Sequence, residues 1–249
     1  LVTMIHIPAV EIREMLQEDE FISSQKGESV NNAKKVYAAI VERLRREESN
    51  ALEMLADKIA IPQQELSFVH IATSIANFIR HEFRLQSTSF HKYVFEEGKL
   101  TDRERRGALL YFGKGKCATC HSGPYLSDFG FHSIAFPQLG FGKNGFGVDY
   151  GRYNATHDPN DLYRFRTPPL INVSKTAPYG HSGSLATIEE AIRVHFDPLK
   201  FVEPSKMTPL DRHEIYKRLT VASDRIIQIG YLDDAEVADL TDFLKALNY

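Results

Sequence analysis

Apolar residues recur at three- and four-residue steps along several stretches of this 249-residue chain. Each stretch predicts a helix with one face turned to a core. Residues 31–46 place Ala33, Val36, Tyr37, Ile40 and Leu44 on one stripe, and residues 66–83 do the same with Phe68, Ile71, Ile75, Phe78 and Ile79. Pro62, with Ile61 before it, marks a break between the two. Thr101-Asp102-Arg103-Glu104 reads as a capping box ahead of Ala108, Leu109, Leu110, Tyr111 and Phe112. That pattern predicts a helix running into Gly113–Gly115. Residues 187–195 set Ile188, Ala191, Ile192 and His195 on one face. Residues 208–219 and 233–247 complete the set, the last with Val237, Leu240, Phe243, Leu244 and Leu247 at helical spacing.

Residues 122–178 break this rhythm. They are rich in Gly, Pro, Asn and Asp and read as loop. A loop that long within a compact domain usually lines a site or wraps a ligand. The expected fold is therefore mainly α in three regions: helical residues 1–92, residues 93–200 with the long loop, and closing helices in 201–249. Composition narrows the partners. With 30 basic and 33 acidic residues the chain is near neutral, which argues against nucleic acid or an anionic membrane. Leu1–Val10 lacks the basic n-region and cleavage site of a signal peptide, and no apolar run reaches the about 18–20 residues of a membrane span. The expectation is a mature, processed or truncated soluble protein.

Cys117-Ala118-Thr119-Cys120-His121 carries the chemistry. Two thiols and an imidazole at C-x-x-C-H spacing are what covalent haem c attachment requires. The thiols add across the haem vinyl groups, and the following histidine reaches the iron as proximal ligand. A disulfide, half a zinc site or a thioredoxin-like pair are the alternatives. Zinc needs two further N or S ligands at suitable spacing, and a redox pair goes with a βαβ pattern, which this sequence does not show. The chain holds only these two cysteines, and the motif uses both. Haem c is attached on the oxidising side of the membrane, which points to the periplasm.

Further motifs follow in order: Ser122-Gly123-Pro124, Ser127-Asp128, Phe131-His132, Asp149-Tyr-Gly-Arg152, Phe165-Arg-Thr-Pro-Pro-Leu170 and Thr176-Ala-Pro-Tyr-Gly-His-Ser-Gly183. With Phe78-Ile-Arg80 ahead and Asp239-Leu-x-x-Phe-Leu-Lys-Ala246 behind, the series resembles the C-terminal haem domain of the bacterial dihaem cytochrome c peroxidase and MauG family. The resemblance implies a cytochrome c-like haem domain with flanking helices and long haem-wrapping loops. It implies that residues 1–92 belong to, or pack on, the family's N-terminal haem domain. The second C-x-x-C-H of the family is absent here, as is the tryptophan that lies between its haems. The chain then reads either as part of a dihaem protein, with a second haem expected in the complete protein, or as a single-haem lineage.

The resemblance also assigns roles. Pro8-Ala-Val-Glu11 is similar to the family's Pro-Val-Glu stretch, with one residue extra. It makes Glu11 the acid–base group in peroxide cleavage; an ordinary solvent-facing glutamate is the alternative. His195 falls where the family takes its second axial ligand, methionine in the peroxidases and tyrosine in MauG. Met207 and an open or water-bound position are the rivals. Thr176 and Pro178 match positions whose carbonyls bind Ca²⁺. Arg152 and Arg166 match residues near haem propionates, with surface salt bridges as the alternative. Tyr179 and His181 are expected to fix the loop at the haem edge. The implied activity is electron relay for the reduction of hydrogen peroxide, with a small cytochrome c or cupredoxin as donor. Oxidation of a partner protein, as in MauG, or plain electron transfer are the alternatives. A homodimer, or association with a second haem-bearing chain, is compatible with this reading.

Overall fold

The computed structural model describes residues 2–10, 33–140, 142–145, 147–222 and 229–249. The chain divides into two compact units, Leu1–Arg84 and Leu85–Tyr249. The regions expected as 93–200 and 201–249 thus share one unit, because the last helix is the packing partner of the helix before the haem motif.

In the first unit, α1 (Val2–Val10), α2 (Ala33–Glu47), α3 (Ser49–Ile59) and α4 (Phe68–Glu82) are helical. Val36, Ile40 and Val41 of α2 bury with Ala9 of α1 and with Phe68 and Ala72 of α4. The His6 ring meets Tyr37 and Phe68 edge-on, each at 5.0 Å between centroids. The expected stripe of α4 is only partly right. Its buried positions are Phe68, Ala72 and Ala76, while Ile75 is 40% and Phe78 61% exposed. Small residues let α1 and α4 approach, so alanines take the interior and the larger apolar residues stay outside. Neither α1 nor α3 is among the predicted helices, although Leu52, Leu55, Ala56 and Ile59 of α3 do lie at helical spacing. Val2–Val10 is apolar with almost no polar face, and periodicity needs the contrast.

The second unit carries α5 (Ser89–Phe95), α6 (Asp102–Phe112), a four-residue α7 (Tyr153–Thr156), α8 (Ile188–Phe196), α9 (Pro209–Thr220) and α10 (Asp234–Lys245). The predicted capping box of α6 forms. Thr101 Oγ1 accepts from the Glu104 N–H at 3.2 Å, and Glu104 accepts from the Thr101 N–H at 2.7 Å. Thr187 with Glu190 and Asp233 with Glu236 start α8 and α10 in the same way. Residues 122–178 are mostly loop, as expected. They are pinned by an antiparallel pair, β1 (Phe131–His132) with β2 (Phe165–Arg166), in which Phe131 faces Arg166 and His132 faces Phe165. The core joins Tyr111 of α6, Ile188 and Ile192 of α8, and Val237, Leu240, Phe243, Leu244 and Leu247 around α10. No helix among the described residues is long and apolar enough to cross a membrane.

The α6–α10 crossing depends on Gly107. A Cβ placed there would lie 2.1 Å from the Asp239 carbonyl oxygen and 2.6 Å from Phe243 Cβ. Next to it, Arg106 grips the Asp239 carboxylate through Nε at 2.6 Å and Nη2 at 2.9 Å, and Arg103 Nε adds a bond at 3.3 Å. Two outcomes follow. Gly107→Ala gains about 1 kcal/mol of helix propensity but loses about 1–3 kcal/mol to overpacking, so denaturant unfolding should show net destabilisation. A net gain would contradict the close crossing. The bonds from Arg106, and then Arg103, hold the Asp239 carboxyl below the ordinary aspartate range. Its contribution is therefore complete above that range and is lost as pH falls through the lower folded value. Thermal melts of Asp239→Asn should lie below wild type at neutral pH and converge with it in acid.

Candidate haem site

The attachment motif is one tight turn. After α6 the chain passes through Lys116 in the left-handed region, with φ of +49°, into a 3₁₀ turn at Cys117–Thr119. The Cys120 and His121 N–H groups both donate to the Cys117 carbonyl, at 3.2 and 2.8 Å. This brings both thiols and the imidazole to one cavity of about 560 Å³, within the about 300–1,000 Å³ usual for small-molecule and cofactor sites. Tyr111, fully buried, donates its hydroxyl to the His121 carbonyl, so the packing of α6 fixes the backbone of the motif. Burial pushes the Cys117 thiol up to about 12, and neighbouring Cys120 acts in the same direction. A neutral thiol is a poor exchange nucleophile.

Across the cavity, the His121 and His195 rings lie with centroids 6.4 Å apart at an interplanar angle of 63°. His121 Nδ1 is 3.2 Å from the Leu126 carbonyl oxygen, and His195 Nδ1 is 2.7 Å from that of Ala191. A carbonyl only accepts, so each Nδ1 carries the proton and each Nε2 keeps its lone pair. Burial lowers the His121 pKa to about 4, with His195 adding to the effect, and burial also lowers that of His195. Both rings are neutral at pH 7, the form that binds metal. Two imidazole nitrogens, each about 2 Å from a shared iron, set their ring centres roughly 6.4 Å apart. The donor set, the spacing and the thiols all fit haem c. Leu126 holds its carbonyl with φ of +53°, a strained backbone that costs on the order of 1–3 kcal/mol and is typical of functional sites.

The other expected residues divide. Arg166, Thr176, Pro178, Tyr179 and His181 line the cavity. Tyr179 donates to the Val173 carbonyl at 2.9 Å, and the His181 ring bonds Asp149 at 2.8 Å while stacking on Phe165 at 3.9 Å. These contacts brace the loop. Arg152 does not line the cavity: its Nε bonds Asp161 at 2.9 Å and its guanidinium covers the Phe131 ring at 4.5 Å. The surface salt bridge weighed for it is what forms. Met207 does not line the cavity either. Glu11 lies outside the described residues.

Sequence reasoning gave no role to several residues that line the cavity, His132, Tyr163 and Arg218 among them. His132 lines it and bonds Asp128 at 2.9 Å, and His132, Asp128 and Cys120 have potential ligand atoms within 4.8 Å of one another. A thioether at Cys120 would remove the thiolate from that group. Tyr163 and Arg218 also line the cavity, and neither belongs to a motif. Only the spacing of Glu214 and Arg218, one helical turn apart on a short polar helix, could have hinted at the second.

No family model matches the chain. The cytochrome-c peroxidase IdrP1 of Denitromonas iodatirespirans is 32% identical over 176 residues, which cover 61% of this chain and 42% of that protein. The methylamine utilization protein MauG of Paracoccus denitrificans is 26% identical over 234 residues, 84% of this chain and 59% of its own length. A crystal structure of a variant of the diheme peroxidase BthA from Burkholderia thailandensis superimposes with a TM-score of 0.69 over 100% of this chain and 62% of its own, at 20% identity. That likeness carries the fold. The chain thus spans about half the length of its curated relatives. An ordered series of matched motifs, relatives of both kinds and a shared fold converge: the chain belongs to the dihaem cytochrome c peroxidase and MauG family.

Proposed function

We propose that this chain binds one haem c through Cys117 and Cys120, with His121 and His195 as axial ligands, and that this haem relays electrons in the peroxidase reaction of the complete protein. The observation that supports this most directly is the pair of neutral imidazoles, with ring centres 6.4 Å apart, in the cavity that the thiols of the motif also line. Held by the two imidazoles, haem c would supply a low-potential one-electron couple, and His195 would occupy the position that peroxide needs. The protein's own part is positional. The Leu126 and Ala191 carbonyls hold each ring in its ligating tautomer, Tyr111 holds the turn, and Ile188, Ile192, Leu240 and Leu244 keep water from the cavity walls. Arg166 is assigned to a haem propionate, and the Thr176 and Pro178 carbonyls to Ca²⁺.

The overall reaction in this reading is the two-electron reduction of hydrogen peroxide to water in the periplasm. It uses a small cytochrome c or cupredoxin as donor and a second haem where peroxide reacts. A MauG-like oxidation of a partner protein is the second reading, favoured by the 84% of this chain that aligns with MauG.

A pyridine haemochrome assay should give one haem per chain, and the double variant Cys117→Ala with Cys120→Ala should lose covalent haem. A preparation matured with haem c that shows no Soret band would exclude the reading. His195→Ala should turn a low-spin spectrum high-spin and admit external ligands such as cyanide, whereas Met207→Leu should keep the wild-type spectrum. The reverse pattern would pass the sixth position to Met207. The complete protein, given reduced small cytochrome and hydrogen peroxide, should oxidise two donors per peroxide. Inactivity there, with oxidation of a protein side chain instead, would favour the second reading.

A further inference from the structure

The haem cavity contains a buried cation that the site so far described does not use. Arg218, on α9, is 7% exposed and lines the cavity, and its Nε has no hydrogen-bond partner among the described residues. The nearest carboxylate on its own helix is already engaged. Glu214 accepts from the Tyr163 hydroxyl at 2.6 Å and from Lys217 Nζ at 2.9 Å. Glu214 and Asp211 reach Arg218 only through space, and burial lowers its pKa despite them. A buried charge without a partner is costly, and an unsatisfied buried donor in a native fold calls for a ligand or another compensating group.

The cavity wall has a sign. Lys116, Arg166 and Arg218 line it, and no aspartate or glutamate does among the described residues. Three cations without a carboxylate, around an otherwise apolar space, suit a flat apolar ligand with carboxylates on one edge. The two propionates are the anionic groups of a haem.

We propose that Arg218 pairs with a haem propionate and holds the anionic edge of the cofactor. This rests on the haem reading above. Guanidinium matches a carboxylate with two parallel N–H donors, which lysine cannot do. A buried positive charge beside the haem also favours the reduced state, so Arg218 raises the midpoint potential of this centre.

The test compares the full haem-loaded chain as wild type, Arg218→Gln and Arg218→Lys, at about pH 8, well above the usual carboxylate range. All three should carry one haem per chain by pyridine haemochrome, because the thioethers hold it. In Arg218→Gln the propionate bending band in resonance Raman should shift. The ferric-to-ferrous ratio at the wild-type midpoint should rise about tenfold, which is 59 mV for one electron. Arg218→Lys should recover most of that ratio while its propionate band stays shifted. A haem-loaded Arg218→Gln with unmoved band and unmoved midpoint overturns the proposal, as does a lysine variant whose midpoint matches that of the glutamine variant. If Arg218→Gln is recovered unfolded, Arg218→Lys decides: a shifted band supports the pairing and an unchanged band overturns it. A wild type without haem is a different result, since it removes the haem reading itself.

Discussion

The tautomer lock on the two facing histidines is the constraint on which the rest of the second unit depends. Each imidazole donates its Nδ1–H to a backbone carbonyl, Leu126 for His121 and Ala191 for His195, and so keeps a bare Nε2. Neither carbonyl is there by accident of sequence. Ala191 is one helical turn before His195 on α8, so the helix supplies that bond itself. Leu126 comes from a strained loop residue whose position rests on the turn of the attachment motif. The motif is in turn held by the Tyr111 hydroxyl, and Tyr111 is buried because α6 packs on α10 across Gly107. A single missing Cβ at a helix crossing is thus connected, through three contacts, to where an imidazole points.

Electrostatics reinforces that geometry. Burial keeps both imidazoles neutral, and the same burial keeps Cys117 a thiol. The basic side chains on the wall are balanced by no acid among the described lining residues. The cavity therefore discriminates by chemistry as well as by shape, since thiols, imidazoles, basic side chains and aliphatic side chains all line it. A hydrated metal ion would meet few of those features.

Much of this was legible in the sequence, and the reasons differ by element. C-x-x-C-H is a local motif whose geometry one turn determines, so residues 117–121 could be read directly. The helices at 102–112, 188–196 and 234–245 announce themselves because cap chemistry and apolar spacing agree. His195 could be placed only through the family's order of motifs, since a histidine on a helix face carries no signal of its own. What the sequence hid depends on distant partners. Arg152 matches a propionate position in the motif series, while the bond of its Nε to Asp161, nine positions on, has no signal in the sequence. Arg218 carries no signal of its own in the sequence, and α9 buries it beside the loop carrying Tyr163. On α4 the periodic pattern was right about the helix and only partly right about the face, with Phe68 and Ile71 packed inward but Ile75 and Phe78 exposed. Close packing against α1 selects alanine over isoleucine, and no propensity scale contains that choice.

The central claim is that one iron lies between His121 and His195, and iron K-edge X-ray absorption of the haem-loaded chain tests it most directly. The account predicts a single shell of six nitrogen scatterers at about 2.0 Å, with imidazole multiple scattering from two rings and no sulfur at about 2.3 Å. A five-coordinate shell, or a sulfur scatterer replacing one imidazole, would contradict it.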